Sequence, residues 1–591
     1  MSSEVQFWLW MLLLNSILFL PRFLMEWQET AFFPFQGLRR GSLFERVRFL
    51  SYRYNYDLFR FCFDWFVGCF VLYLFRHTLD WPFWSWGIFA FYWLLLLQLI
   101  YFNLFDKVFN LPPLFYNDTF MLWHGLKIAF TGFLFWTLLA LVGLVAFAYF
   151  LFWSIEQMLG QLAIGEFGLG SIVAFAFVFA FGLFSHWRYS YEQLPQQTVQ
   201  SPLRSMRQNI QASLKAKRKL GGLSIDRLKQ YNWYEHFTLV EKPNIYFIVV
   251  ESYGRILLDD PAFDKDYAQW MHNHEQSLAQ KGWAMSSALS TPPIVGGASW
   301  LSYSSLLYGF RIDNQGTYLA LSNNPQIDQY QSFFRWLQQQ GYKNYQLNAL
   351  GGFEKMKIPW ETYQRYYAVE EWILYKDLEY HGQLYGFGPS PPDQYSLNFA
   401  AEHIRKKNRD PFSLFYITQN SHSPFESPQS IATDWTTLNE QVPPTAQQSK
   451  FFEKPQKADY LKAMQYQMDC LVDFVQQQGQ SNDVFVLIGD HQPPVLTPRE
   501  SPQETPVHVI AHRQHHGFVK AFLSYGFSEG LLPKVDSVPI KHEAWYSLWM
   551  RCLLAHFAKA DAQDLPPYCP NGLEFDVPNS SLDLATSNKS T

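Results

Sequence analysis

Val484-Phe485-Val486-Leu487-Ile488-Gly489-Asp490-His491 decides the fold. A short, unbroken apolar run rich in β-branched residues reads as a strand buried on both faces, the kind found in parallel sheets. It delivers a carboxylate and an imidazole side by side at its carboxyl end, where open α/β sheets bind ligands. Tyr246-Phe247-Ile248-Val249-Val250 repeats the pattern and ends in Glu251-Ser252. Glu251, Asp490 and His491 thus offer two hard oxygens and one nitrogen at two strand ends, a donor set for a divalent cation. For a single Asp-His pair the plainer reading is a cap or a hydrogen-bonded loop. Three donors at matching strand ends point to a metalloenzyme rather than a scaffold.

Working outward, strands are expected at 342–347, 414–418 and 507–510, with helices over 328–340 and 459–478. Apolar strands alternating with helices predict a mainly parallel α/β sheet covered on both faces. This domain is expected over 242–575. The Ser/Asn/Thr-rich tail, 576–591, is expected to be disordered.

The first third differs in kind. The 591-residue chain is too long for one core, and its aromatic residues, 19% of the total, crowd into this part. Residues 128–155, 82–104 and 167–185 are uncharged runs of membrane-spanning length, and 5–20 and 58–75 are weaker candidates. Arg60 and Asp64 in the last of these are spaced to pair on one helix face. Five spans make 1–188 a transmembrane domain, so the bilayer is an expected partner. The first span lacks the basic start and small-residue site of a cleavable signal. Residues 189–241 read as basic linker helices. Within them Arg204 to Lys219 spaces Met206, Ile210 and Leu214 among cations, as a surface helix or an ordinary solvated one would. A net charge of -5 gives no reason to expect nucleic acid.

Arginines conflict over orientation. Arg22, Arg39, Arg40, Arg46, Arg48, Arg53 and Arg60 precede or enter the second span, and Arg188, Arg204 and Arg207 follow the fifth. The positive-inside rule puts both groups in the cytosol. Alternatively, 39–60 forms an amphipathic helix on anionic headgroups of either face. The five cysteines contain no C-x-x-C pair; Cys552 and Cys569 are either bridged or free thiols.

In Pro292-Pro293-Ile294-Val295-Gly296-Gly297-Ala298-Ser299, a tight turn precedes a helix expected from Ser299 to Tyr308, with Gly309 as its C-cap. Ser299 at the helix N-terminus is placed to attack an anionic centre such as phosphorus. An ordinary N-cap serine is the plainer reading, and Ser290, Thr291 and Ser302 compete for the role. His422, in Asn420-Ser421-His422-Ser423-Pro424-Phe425 just past another strand, is a candidate for proton transfer. His508 lies in the last strand and is expected near the site. His512, His515 and His516 read as exposed loop residues.

Taken in order, five spans, the linker, strand-Glu251, Gly-Gly-x-Ser299, Ser421-His422-Ser423-Pro424-Phe425 and Gly489-Asp490-His491 resemble the membrane-anchored sulfatase-like transferases of the lipoteichoic acid synthase type, within the alkaline phosphatase superfamily. The resemblance implies that Glu251, Ser299, Asp490 and His491 hold one divalent metal, usually manganese, with Mg²⁺ or Zn²⁺ as alternatives. It implies that Ser299 replaces a threonine nucleophile and that His422 binds substrate. It also implies an aromatic contact at Trp360. The family's further histidine is missing: Asn348 stands in that region.

The implied reaction moves a phosphoglycerol or phosphoethanolamine head group from a membrane phospholipid donor to an envelope glycan or glycolipid acceptor through phospho-Ser299. The catalytic domain would then lie outside the cytoplasmic membrane. One rival is a phosphodiesterase using water. A type I sulfatase is disfavoured, because no C/S-x-P-x-R motif surrounds Ser299. The last rival is a non-catalytic membrane sensor.

Overall fold

The computed structural model describes residues 2–26, 32, 56–78, 81–109, 113–116, 118–119, 130, 134–188, 197–221, 228–351, 360–386, 390–440, 456–493, 496–497 and 501–574. The chain forms two compact units, Met1–Lys217 and Arg218–Thr591. The arginine-rich stretch 39–55 and the tail after Asp576 lie outside the described residues.

The first unit is helical: α1 (Ser3–Met25), α2 (Phe63–Leu74), α3 (Trp81–Phe109), α4 (Leu134–Ile164), α5 (Leu169–Arg188) and α6 (Pro202–Gly221). Within α1, α3 and α4, three helices are long and apolar enough to cross a membrane, while Phe63–Leu74 and Leu169–Phe184 are shorter apolar helices. Three of the five expected spans thus meet the length and apolar character of a membrane crossing, as a membrane domain requires, and the other two fall on shorter apolar helices. Its core includes Met11, Leu14, Trp65, Tyr92, Leu95, Leu151 and Met158.

Helix α1 runs on through Pro21, beyond the expected span 5–20. One expectation shifts here. Arg60 stands ahead of α2 rather than on it, because Phe61 and Cys62 are extended and pair with Val199 and Gln200. Asp64 instead accepts from Ser201 Oγ at 2.9 Å and Leu203 N at 2.8 Å, and Arg60 donates to the Gln197 carbonyl at 2.8 Å.

The second unit is an α/β domain. Its strands are β1 (Asn244–Val250), β2 (Trp283–Thr291), β3 (Lys343–Asn348), β4 (Glu371–Leu374), β5 (Phe412–Ile417), β6 (Asp483–Gly489), β7 (Thr505–His512), β8 (Ser528–Glu529) and β9 (Ile540–Lys541). They form a nine-stranded sheet in the order β8-β2-β7-β6-β1-β5-β3-β4, with β9 beside β2. From β6 to β4 every neighbour is parallel; β7 is antiparallel to β6, and β2 to β7.

The central strands obey the two-residue pleat. Phe247 and Val249 face one core with Phe415 and Val486, and Tyr246, Ile248 and Val250 face the other with Phe485 and Leu487. All are fully buried, so deleting a ring such as Phe247 should cost about 3–5 kcal/mol. Helices α7 (Asp264–Gln280), α8 (Ser299–Tyr308), α9 (Asp393–Lys407), α10 (Lys457–Gln478) and α11 (His542–Phe557) complete the layers. In register, Val250 lies opposite Gly489, which sets Glu251 and Asp490 at adjacent strand ends.

Candidate active site

Glu251, Asp490 and His491 converge. Each offers a ligand atom within 4.8 Å of the others, and among the described residues they form the only such group. His491 Nε2 is 3.3 Å from Asp490 Oδ2 and 3.6 Å from Glu251 Oε1. Atoms sharing one cation at about 2.1 Å stand no more than about 4.2 Å apart, so these separations suit joint ligation.

The wiring around the group leaves the right atoms facing inward. His491 Nδ1 engages the Gln492 carbonyl at 2.9 Å, which makes it the protonated nitrogen and turns the Nε2 lone pair to the site. Asp490 Oδ1 accepts from Ser252 N at 2.9 Å and His491 N at 2.8 Å, whereas the buried Oδ2 has no hydrogen-bond partner. An orphaned carboxylate oxygen is costly unless something else satisfies it. The donor set therefore fits a divalent cation.

Electrostatics agree. Burial pushes the Asp490 carboxyl up, and the Glu251 carboxylate adds to this, raising it to about 7. Burial also pushes Glu251 up, but the His422 and His491 imidazoles outweigh it and hold Glu251 below its ordinary value. For His491 burial acts downward, yet the Asp490 and Glu251 carboxylates prevail and raise it. Two carboxylates and an imidazole buried side by side make a compact donor set in which a cation would offset the mutual repulsion of the carboxylates.

Ser299 joins this group. Its Oγ lies 3.2 Å from Glu251 Oε2 and 3.3 Å from His491 Nε2. Gly297 and Ala298 both take left-handed backbone, with φ of 64° and 53°, and turn the chain so that α8 starts at Ser299. Gly297 N–H also reaches His491 Nε2 at 3.1 Å. Gly309 caps the helix end at φ 73°. The serine makes no side-chain cap to its own helix; its hydroxyl points at the ligand group instead. The helix N-terminus adds partial positive charge at that place.

His422 lies past β5, near enough for its charge to lower Glu251. Its Nδ1 engages the Ser423 carbonyl at 2.6 Å. The loop is held from two directions. Thr418 Oγ1 accepts from Glu251 N at 3.0 Å, and the buried Asp393 carboxylate accepts from Gln419 N and Asn420 N at 3.0 Å each. Asn348 ends β3, two strands from β1, where its Oδ1 accepts from Leu350 N at 3.1 Å. Trp360 begins a short helix and packs edge-on against Trp372 at 5.3 Å.

His508 is within the sheet rather than at the ligand group, between Tyr253 and Ser287. His515 is buried, not a loop-surface residue: its Nδ1 is 3.3 Å from His556 Nε2. Cys552 and Cys569 are free thiols.

Sequence reading missed four supporting groups. Ser252, at φ 57°, donates to Glu251 Oε1 at 3.0 Å. Thr418 and Thr505 hold strand-end backbone, and His542 contacts Ser302 at 2.9 Å. Only the strand-end position of Ser252 and Thr418 signalled them. Nothing local marks His542, which lies 240 residues from its partner.

Residues 243–518 match the family model described as Sulfatase. No curated protein sequence matches the chain. Among solved structures, an alkaline phosphatase superfamily protein from Vibrio parahaemolyticus aligns at 15% identity, covering 56% of this chain and 69% of that one, with a TM-score of 0.36. The lipoteichoic acid synthase LtaP from Listeria monocytogenes aligns at 13% identity over 58% and 81%, TM-score 0.36. The Streptococcus pyogenes phosphoglycerol transferase GacH, solved with sn-glycerol-1-phosphate, aligns at 11% identity over 56% and 79%, TM-score 0.33. The stretch similar to the Sulfatase family model, residues 243–518, lies wholly within the second unit and contains Glu251, Ser299, His422, Asp490 and His491.

Proposed function

We propose that the protein transfers a phosphoglycerol or phosphoethanolamine head group from a membrane phospholipid to an envelope glycan or glycolipid, through a phosphoserine on Ser299. The observation that carries this reading is the Ser299 hydroxyl at 3.2 and 3.3 Å from two members of a cation-binding group.

Glu251, Asp490 and His491, with Ser299 Oγ, would hold one divalent ion, manganese first and magnesium or zinc as alternatives. When bound, such an ion lowers the pKa of a nearby hydroxyl and offsets charge on a phosphoryl group. The residues do the rest. Ser299 Oγ attacks phosphorus and the bond to the diacylglycerol oxygen breaks, so diacylglycerol leaves with a proton and stays in the bilayer. An acceptor hydroxyl then attacks the phosphoserine, restoring Ser299 as its P–O bond breaks. His422 is assigned to proton transfer and to a phosphoryl oxygen. Backbone N–H groups at the start of α8 favour the anion. Asn348 and Trp360 are assigned to the substrate's far end.

The domain plan in this reading is 1–188 for the membrane, 189–241 as linker, 242–575 for catalysis and 576–591 as tail. The catalytic domain lies on the outer face of the cytoplasmic (inner) membrane, because that is where donor and envelope acceptor meet.

The test is full-length protein in vesicles carrying head-group-labelled phosphatidylglycerol or phosphatidylethanolamine. Diacylglycerol release and a labelled protein adduct are expected, both lost in Ser299→Ala while metal still binds. An adduct that persists in Ser299→Ala refutes the nucleophile. Release of free glycerol phosphate or phosphoethanolamine, with nothing transferred to an added glycan, makes the enzyme a phosphodiesterase.

A further inference from the structure

Helix α6 has one face fastened and the other bare. Asn209 Oδ1 accepts from Phe115 N at 2.6 Å, Ser213 Oγ from Tyr116 N at 3.1 Å, and Ser205 Oγ from Gln98 Nε2 at 3.4 Å. Leu203 N donates to Asp64 at 2.8 Å. Ser205, Asn209 and Ser213 follow one another at four-residue steps and mark the inward face.

At about 100° per residue, Ile210 and Leu214 fall together roughly 100–140° round from Asn209, in line with Leu203, which at the start of the helix is half-buried against the core of the first unit. Arg207 borders this stripe on one side and Lys217 on the other. Ile210 and Leu214 are 43% and 50% exposed. Arg207, Lys215, Lys217 and Arg218 are exposed as well, and the helix contains no acidic residue.

We propose that α6 lies in the membrane surface and binds anionic phospholipid headgroups. A narrow apolar stripe bordered by cations matches that surface: the stripe enters the acyl boundary, and the long basic side chains reach back to phosphate. The polar contacts of the inward face are made to the unit that contains the membrane-crossing helices, so the occupant at hand is the bilayer. A headgroup layer is also complementary in charge to a helix face with four exposed cations and no acid. The cations of α6 then serve lipid binding on whichever leaflet they meet. They cease to be evidence that the chain following α5 is cytosolic.

Full-length protein in phosphatidylcholine vesicles, with and without phosphatidylserine, tests this. Phosphatidylserine is anionic but is not the donor proposed above, so failure of head-group transfer leaves this measurement intact. A nitroxide at Ile210→Cys, in a Cys569→Ser background because the other four cysteines are buried, reports depth. It should collide more with oxygen than with a water-soluble nickel chelate. Preference for phosphatidylserine over phosphatidylcholine should weaken with salt, and should fall about tenfold or more in the Arg207→Gln, Lys215→Gln, Lys217→Gln triple variant. A label at 210 that favours the nickel chelate overturns the proposal and leaves the face for a soluble partner. Unchanged lipid preference in the triple variant overturns it too.

Discussion

Ser302 Oγ donates to the Asp490 carbonyl oxygen at 2.7 Å, tying the first turn of α8 to the backbone of a candidate metal ligand. Ser302 Oγ also lies 2.9 Å from His542 Nδ1. One hydroxyl proton cannot serve both contacts, so His542 donates from Nδ1 and Ser302 passes its own proton to Asp490. Thr505 Oγ1 takes the neighbouring Gly489 carbonyl at 2.9 Å. The serine at 299 and the ligand at 490 are thus held in one frame by Ser302, three residues along the helix. Ser302→Ala should cost about 1–3 kcal/mol in unfolding free energy, since it strands His542 Nδ1–H and a buried carbonyl. It should also lower turnover and the thermal shift on adding Mn²⁺. Full turnover and an unchanged shift would show that the tie carries no positional information.

Asp490 yields a prediction with opposite signs. Its carboxyl is pushed up by burial and by Glu251, and its Oδ2 has no partner. In metal-free protein above about pH 7, where this carboxyl is ionised, Asp490→Asn removes one of two mutually repelling buried charges and should raise the unfolding temperature relative to metal-free wild type. Added Mn²⁺ should raise the temperature of the wild type and leave the variant where it was. If metal-free wild type is the more stable of the two, repulsion across the site is not a significant cost.

Much of this was legible because the ligands stand at strand ends. An apolar run announces its own burial, and the residue after it is committed to the sheet's rim, so Glu251, Asp490 and His491 could be placed together from sequence. The turn before Ser299 was equally open, because Gly-Gly next to a helical pattern leaves few conformations. Strand β2 was not legible. Trp283–Thr291 contains four small polar or alanine residues at its centre, Ser286, Ser287, Ala288 and Ser290, and loses the apolar signal. Strand β4 is short, at four residues, and mostly half-buried. Arg60 and Asp64 carried a helical spacing that tertiary pairing overrode when Phe61 and Cys62 joined Val199 and Gln200. His542 was invisible because its meaning depends on contacts far away in the chain.

Asp393 should act at a distance on His422. Fully buried, its carboxyl is driven up by desolvation, against hydrogen bonds from Tyr416 and from the backbone of Asn420 and Gln419, and stands at about 6. Its own N–H donates to Asn420 Oδ1 at 2.7 Å, closing a reciprocal pair across the loop. Asp393→Ala would leave two backbone N–H groups and the Tyr416 hydroxyl without their acceptor, a loss of about 3 kcal/mol or more. The loop should loosen, with kcat falling more than Mn²⁺ affinity, because Asp490 and His491 are held independently of the loop and only Glu251 touches it, through Thr418. Equal losses in both would mean that Asp393 supports the whole domain rather than the loop.

The acid limb of stability should belong largely to buried neutral histidines. Burial lowers His508 and His542 to about 3 each. The contacts of His508 run in one direction: Ser287 Oγ donates to the Gly530 carbonyl at 2.6 Å, so His508 Nδ1–H donates to Ser287 at 2.7 Å. His508 Nε2, 2.9 Å from the Tyr253 hydroxyl, must then accept. Protonating Nε2 would put two donors face to face. Folded values near 3 lie below the unfolded value of about 6.5, so between these limits the unfolded chain binds more protons. Stability is therefore full above about pH 6.5 and falls as pH drops through that value towards 3, by about 1.4 kcal/mol per pH unit for each histidine. His508→Gln retains a donor and an acceptor but cannot titrate. Its unfolding free energy should lie below wild type at pH 7.5 and lose less between pH 6 and 4.5, by about 2 kcal/mol. Denaturant titrations of the two proteins at three pH values measure this directly, and parallel curves would remove His508 from the acid response.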